Sequence, residues 1–102
     1  MPTLHTVNKS PFERNALASC LNHLMPGDAV LLIEDAVAGA RKGTSVEALV
    51  RGALQGCAVY ALAPDLAARG IASDAVLDGV KLVDYAGFVD LVALHERTQA
   101  WL

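Results

Sequence analysis

Leu4-His5-Thr6-Val7-Asn8-Lys9-Ser10-Pro11-Phe12-Glu13 reads as a short strand that hands over to a helix within three residues. Ser10 suits the N-cap, because its hydroxyl accepts an otherwise orphaned amide of the first turn. Pro11 fits the first helical position, where a missing N–H costs nothing, and Glu13 completes a capping box. A strand feeding a capped helix is the opening half of a β-α-β unit, the connection that parallel strands require. The chain is therefore expected to build a parallel sheet.

The rest of the sequence keeps this rhythm. The first strand is expected from Thr3 to Asn8, and the first helix from Pro11 to about Met25, where Pro26-Gly27-Asp28 ends it. Ala29-Val30-Leu31-Leu32-Ile33 is a continuous apolar run, as in a strand covered on both faces. A short Ala/Gly-rich helical piece then runs to about Ala40. Thr44-Ser45-Val46-Glu47 is a second capping box, and behind it Val46, Leu49, Val50 and Ala53 share one helical stripe.

Gly56 stops that helix, and Cys57 to Leu62 reads as the third strand. Pro64-Asp65 opens a short helix that Gly70 ends, and Ile71 to Gly79 is expected to be irregular. Val80 to Val83 is the fourth strand. Asp84 caps a last helix with the stripe Tyr85, Phe88, Val89 and Val92. Strands recurring roughly every 25 residues with helices between them describe an α/β fold, a small doubly wound parallel sheet of about four strands.

Such sheets bind ligands at the C-terminal edge of their strands. That edge would gather Asn8, Lys9, Glu34, Asp35, Pro64, Asp65 and Asp84. Each acidic member also has a plain reading, Asp65 and Asp84 as helix caps and Glu34 and Asp35 as polar strand ends.

The chain has 102 residues, of which 54% are hydrophobic and 19% charged, more apolar surface than so small a domain hides in its own interior. An obligate oligomer is expected. The net charge of −3, with scattered Lys and Arg, gives no footprint for nucleic acid. No signal peptide or membrane-spanning run is read, and two cysteines make no disulfide framework, so a reduced, cytoplasmic protein is expected.

No self-sufficient catalytic motif is present. Lys42 precedes Gly43 and follows a helical segment, the wrong order for a phosphate-cradling loop. His5, His23 and His95 lie far apart without ligand spacing to either cysteine, so no metal or cofactor is expected. His23 and His95 fall near helix ends, where they can serve the last carbonyls.

Cys20 is the remaining chemical candidate. It shares the apolar stripe of the first helix with Leu17, Leu21 and Leu24, where a cysteine behaves as a small hydrophobe. As a reactive thiol it lacks a nearby helix N-terminus, but His23 at i+3 can reach the sulfur. Cys57 reads as structural. Trp101, the only tryptophan, is a terminal aromatic that needs an anchor on its own domain or on a neighbour; the apolar excess favours a neighbour, making it a candidate interface residue.

The N-terminal stretch from Leu4 to Phe12 resembles the start of the DsrH/TusB family. So do Glu34-Asp35, Tyr60-Ala61-Leu62, Asp65-Leu66, Ala68-Arg69-Gly70, the run from Val83 to Leu91, and the ending Gln99-Ala100-Trp101-Leu102. The resemblance covers residues 1–102 as a single DsrH/TusB-like domain. It implies a small subunit of a cytoplasmic sulfur-relay heterohexamer with DsrE/TusD-like and DsrF/TusC-like partners, passing persulfide sulfur to a DsrC/TusE-like acceptor. Direct contact with nucleic acid or membrane is not implied.

Two outlets are known in this family: dissimilatory sulfur oxidation and 2-thiolation of the tRNA wobble uridine. Cys20 resembles the DsrH-like branch and favours the first. The family's chief sulfur carrier belongs to the DsrE/TusD-like partner, and the comparable loop here, Ala63-Pro64-Asp65, has no cysteine. The resemblance therefore implies an accessory subunit, with Cys20 as a candidate sulfur acceptor. A free-standing ligand-binding domain using Lys9, Glu34 and Asp35 is the alternative of a different class.

Overall fold

Five short segments pair in parallel to form the sheet: β1 (Thr3–Val7), β2 (Ala29–Leu32), β3 (Ala58–Leu62), β4 (Lys81–Val83) and β5 (Arg97–Trp101). The structure is a computed structural model and describes residues 2–102. The strands lie in the order β4-β3-β2-β1-β5. Register follows the apolar runs, with Leu4 beside Ala29, Ala29 beside Ala58, and Tyr60 beside Lys81.

Four helices join the strands: α1 (Ala16–Asn22), α2 (Glu47–Ala53), α3 (Ala63–Ala68) and α4 (Tyr85–Leu94). Short 3-10 helices at Glu34–Ala40 and Ser73–Ala75 complete the connections. From β1 to β4 each strand is laid beside the last in one direction, so right-handed crossovers put those connections on one face. The return from β4 to β5 reverses direction and puts α4 on the other.

Two separate cores result. On the crowded face Val7, Val30, Leu32 and Val59 meet Leu17, Cys20, Val37, Val50, Leu66 and Leu77. On the other, Leu4, Ala29 and Leu31 meet Leu91, with Phe88 and Tyr60 half-buried at their margin. Burying each Leu or Val here contributes roughly 1.5–3 kcal/mol. Among the described residues, no helix is long and apolar enough to cross a membrane.

The parallel α/β reading is met, with three corrections. The first concerns α1, which begins at Ala16 rather than Pro11. Ser10 does accept, from the amide of Phe12 at 3.2 Å, and its carbonyl takes the amides of Glu13 and Arg14, but these close only a turn. Packing explains the break, because Pro11 and Leu17 both close on Gly39. A Cβ at Gly39 would lie 2.9 Å from Leu17 Cδ2 and 3.4 Å from Pro11 Cγ. This docking takes precedence over continuing the helix.

The second correction is β5. Its sequence, Arg97-Thr98-Gln99-Ala100-Trp101, has no apolar run because it is an edge strand whose first four residues are exposed. The third is the seating of α4. Its expected stripe is split: Tyr85 and Val89 are 60% and 66% exposed, whereas Phe88 is half-buried against the sheet beside Leu91, which the stripe did not include.

Other local readings hold. Asp84 Oδ1 accepts the amide of Gly87 at 2.8 Å, the cap expected for α4. Gly70, at φ 68°, ends α3 in a Schellman motif, with Gly70 N–H bonding Ala67 and Ile71 N–H bonding Leu66. The second capping box, by contrast, is not made: α2 starts at Glu47 with no side-chain cap, Thr44 Oγ1 accepts from Val46 instead of Glu47, and Glu47 Oε1 accepts from Gly43 instead of Thr44.

Candidate functional site

The sheet's C-terminal edge gathers most of the polar groups expected there. An open cleft of about 350 Å³ lies beside it, lined by Ser10, Glu13, Asp35, Ala38, Arg41, Arg69 and Ile71. Asp35 Oδ1 accepts from Arg69 Nε at 3.1 Å and Nη2 at 2.9 Å. Asp65 reaches across to the start of the neighbouring 3-10 helix, where its Oδ2 accepts the amide of Glu34 at 2.6 Å. Glu34 has a φ of 50°, unusual for a residue with a side chain, and this bond holds it there.

The edge thus ties carboxylates to backbone and to Arg69. Asn8 Oδ1 is buried without a hydrogen-bond partner among the described residues. Asp84 is separate, spent on its cap at the end of β4. Among the described residues, no group of three or more His, Cys, Asp or Glu side chains could hold a metal ion.

Cys20 lies away from this edge, in the core beneath α1, with 0% exposure. Burial, reinforced by the nearby Asp28 carboxylate and Cys57, pushes its thiol up to about 12. The Cys20 thiol is thus enclosed in an apolar core and held toward its neutral form. His23 does not serve it: its Nδ1–H donates to the carbonyl of Ser19 at 2.6 Å. His95 likewise donates from Nδ1 to Leu91 at 2.7 Å, so both histidines serve helix-end carbonyls as expected.

Cys57 is half-buried just ahead of β3, and its Sγ donates to the carbonyl of Met25 at 3.4 Å. Burial, with Asp28 adding to it, raises its thiol above the ordinary value.

Trp101 is anchored on the chain's own core. Its Nε1–H donates to His5 Nδ1 at 3.0 Å, and its ring lies 5.6 Å from that of His23. His5 Nε2 in turn donates to Asp28 Oδ2 at 2.9 Å. Asp28 also accepts the amides of Thr3 and Met25. Burial opposes its charge, yet these bonds and His5 together hold its carboxyl below the ordinary value.

The sequence pattern does not reveal this trio, of which His5 and Asp28 are buried and Trp101 half-buried. Asp28 stood as a turn residue and His5 as a strand residue, and only β5, itself unexpected, brings Trp101 to them.

Residues 9–98 match the family described as DsrH like protein. The chain belongs to the DsrH/TusB family. Protein TusB of Photorhabdus laumondii is 38% identical over 101 residues, spanning 96% of this chain and 99% of that protein. Protein TusB of Escherichia coli (strain K12) is 37% identical over 99 residues, again spanning 96% and 99%.

Among solved structures, the ychN protein from E. coli superposes with a TM-score of 0.82 at 18% identity, covering 98% of this chain and 99% of that one. The protein of unknown function MTH1491 from Methanobacterium thermoautotrophicum gives 0.75 at 19% identity, covering 97% and 96%. These likenesses place the DsrH/TusB chain in the fold those proteins share.

Proposed function

We propose that this DsrH/TusB sulfur-relay subunit acts as a non-catalytic member of a hetero-oligomer with DsrE/TusD-like and DsrF/TusC-like chains. The complex passes persulfide sulfur to a DsrC/TusE-like acceptor in the cytoplasm. The observation that carries this reading is the second apolar face of α4. Phe88 and Leu91 already cover the sheet, yet Tyr85, Val89, Val92 and Leu94 stand exposed on the same helix. A helix apolar on two sides asks for a second partner.

The thiols support the accessory role. A persulfide carrier needs a thiolate at an accessible, electropositive position, whereas Cys20 is enclosed and both thiols are shifted toward the neutral form. On this reading Cys20 is a packing residue. It then gives no reason to favour sulfur oxidation, and the relatives named TusB favour the other outlet, 2-thiolation of the tRNA wobble uridine.

Native mass spectrometry of the tagged chain, recovered from the cell that makes it, tests the assembly. A complex with two other small chains is expected; recovery as a stable monomer overturns the proposal. Deleting the gene and digesting total tRNA to nucleosides tests the outlet. Loss of 2-thiouridine derivatives is expected, and an unchanged level removes tRNA thiolation from the reading.

A further inference from the structure

The side chains of β5 hold the sheet at one point. Arg97, Thr98, Gln99 and Ala100 are exposed, and Trp101 alone is half-buried, packed against the crowded core. Its indole N–H can only donate, so His5 Nδ1 must present a lone pair to it. His5 Nε2 faces a carboxylate and must carry the proton. Both ring nitrogens are thus assigned, and the imidazole, 4% exposed, is neutral in this arrangement.

We propose that His5, Asp28 and Trp101 form a proton-operated latch on the C-terminal strand. With His5 neutral, Nδ1 holds the Trp101 N–H and β5 stays paired with β1. When His5 takes a proton from solvent at Nδ1, two N–H groups face each other, the indole loses its acceptor, and the end of β5 is released. A ligand shifts a two-state equilibrium only by binding one state better. The proton does so here because the held state has already committed the Nδ1 lone pair, while the released state offers it freely.

The surrounding groups set the direction. Asp28, ahead of β2, faces the far side of the ring and keeps its charge when His5 gains one, so the imidazolium is not left unpaired. Cys20 on α1 and Cys57 ahead of β3 lie near Asp28 as neutral thiols. Across the indole lies the His23 imidazole, its ring tilted 41° to that of Trp101. On β5 itself Arg97 shares the face of Trp101 but sits at the opposite, exposed end, beside Thr3. Imidazole is the side chain that changes charge between pH 5 and 8.

Hydrogen–deuterium exchange of the full chain between pH 7.5 and 5.5, corrected for intrinsic exchange chemistry, tests the latch. Exchange of the segment Arg97–Leu102 is expected to rise by up to about ten-fold per pH unit, the limit for one linked proton, while Ala29–Leu32 stays protected. Flat protection of β5 overturns the proposal, and so does joint loss in both strands, which is global acid unfolding.

Trp101→Phe keeps the ring but removes the N–H. Its β5 should exchange fast already at pH 7.5, with the pH dependence gone; a retained pH dependence overturns the latch. His23→Gln should leave the transition in place, and its disappearance would move the device to His23. Nitrogen-15 spectra of the His5 ring should report the Nε2–H form at pH 7.5, and the Nδ1–H form sinks the assignment.

Discussion

Asp65 Oδ2 accepts the backbone amide of Glu34 at 2.6 Å, joining the exits of β3 and β2 with one charge-assisted bond. Asp65 lies in the first turn of its own helix, but its carboxylate caps the neighbouring 3-10 helix, which starts at Glu34 with a φ of 50°. Losing a hydrogen bond to a charged group costs about 1.5–3 kcal/mol. Asp65→Ala is therefore expected to lower the unfolding free energy by that order, whereas Glu34→Gly, which relieves the positive φ, should leave it unchanged or raise it. Denaturant titration of both variants decides the matter, and a stable Asp65→Ala protein refutes the role of this bond.

The sequence made this edge partly legible. Glu34, Asp35 and Asp65 fell where strand ends meet in a parallel α/β order, because apolar runs and turn residues mark strand ends directly. Which of them bond to each other depends on strand order, and a local pattern does not encode that. Ser10-Pro11-Phe12-Glu13 shows the opposite limit. Its capping chemistry is present and its turn forms, but the helix fails to propagate because Gly39 admits Pro11 and Leu17 at close range.

Two further departures have one cause. An edge strand needs no apolar alternation, so Arg97–Trp101 carries no strand signature, and its partner β1 lies at the other end of the chain. Without that strand, His5, Asp28 and Trp101 remain three unrelated residues. The stripe Tyr85, Phe88, Val89 and Val92 marks an apolar helix at α4 but not the face that packs, since only Phe88 of the four lies on the sheet. The helix has two apolar faces, and the periodicity did not say which one the sheet takes.

Asp28 makes stability depend on acid. Its folded-state carboxyl is held below the ordinary value of 3.8, so its contribution is fully present above that value and is lost as pH falls through the lower, folded one. Asp28→Asn should cost about 1–3 kcal/mol at pH 7, from weakened bonds to His5, Thr3 and Met25. The gap to the wild type should narrow below pH 3.8, where the carboxyl of the unfolded chain takes its proton while the folded one still resists it. Urea titrations at pH 7 and pH 3 measure it; a gap that widens in acid contradicts the assignment.

Cys20 should behave as a core side chain. Iodoacetamide should modify Cys57 well before Cys20 in the native protein, since Cys20 has 0% exposure and its thiol is pushed up to about 12. Cys20→Ser places a hydroxyl in an apolar setting, at a cost of about 1–3 kcal/mol, and should be no better tolerated than Cys20→Ala. Persulfide transfer by the assembled complex should survive Cys20→Ala. Intact mass after treatment with a persulfide donor gives the complementary reading, and added sulfur on Cys20 in the folded chain would overturn this view.

The two faces of α4 separate folding from assembly. Leu91 is buried against Leu4 and Leu31, so Leu91→Ala should destabilise the isolated chain by about 2–5 kcal/mol. Val89 and Val92 lie 66% and 41% exposed on the outer surface. Val89→Lys and Val92→Glu should each shift the isolated chain by less than about 0.5 kcal/mol, as surface changes usually do. In the assembled state the same substitutions place an unpaired charge inside an apolar contact, so recovery of partner chains on the tagged subunit should fall sharply. If both charged variants retain their partners, the hetero-oligomer uses another surface and the exposed stripe of α4 is not its interface. If they lose partners only because they unfold, their urea midpoints will have moved with Leu91→Ala, which distinguishes the two cases.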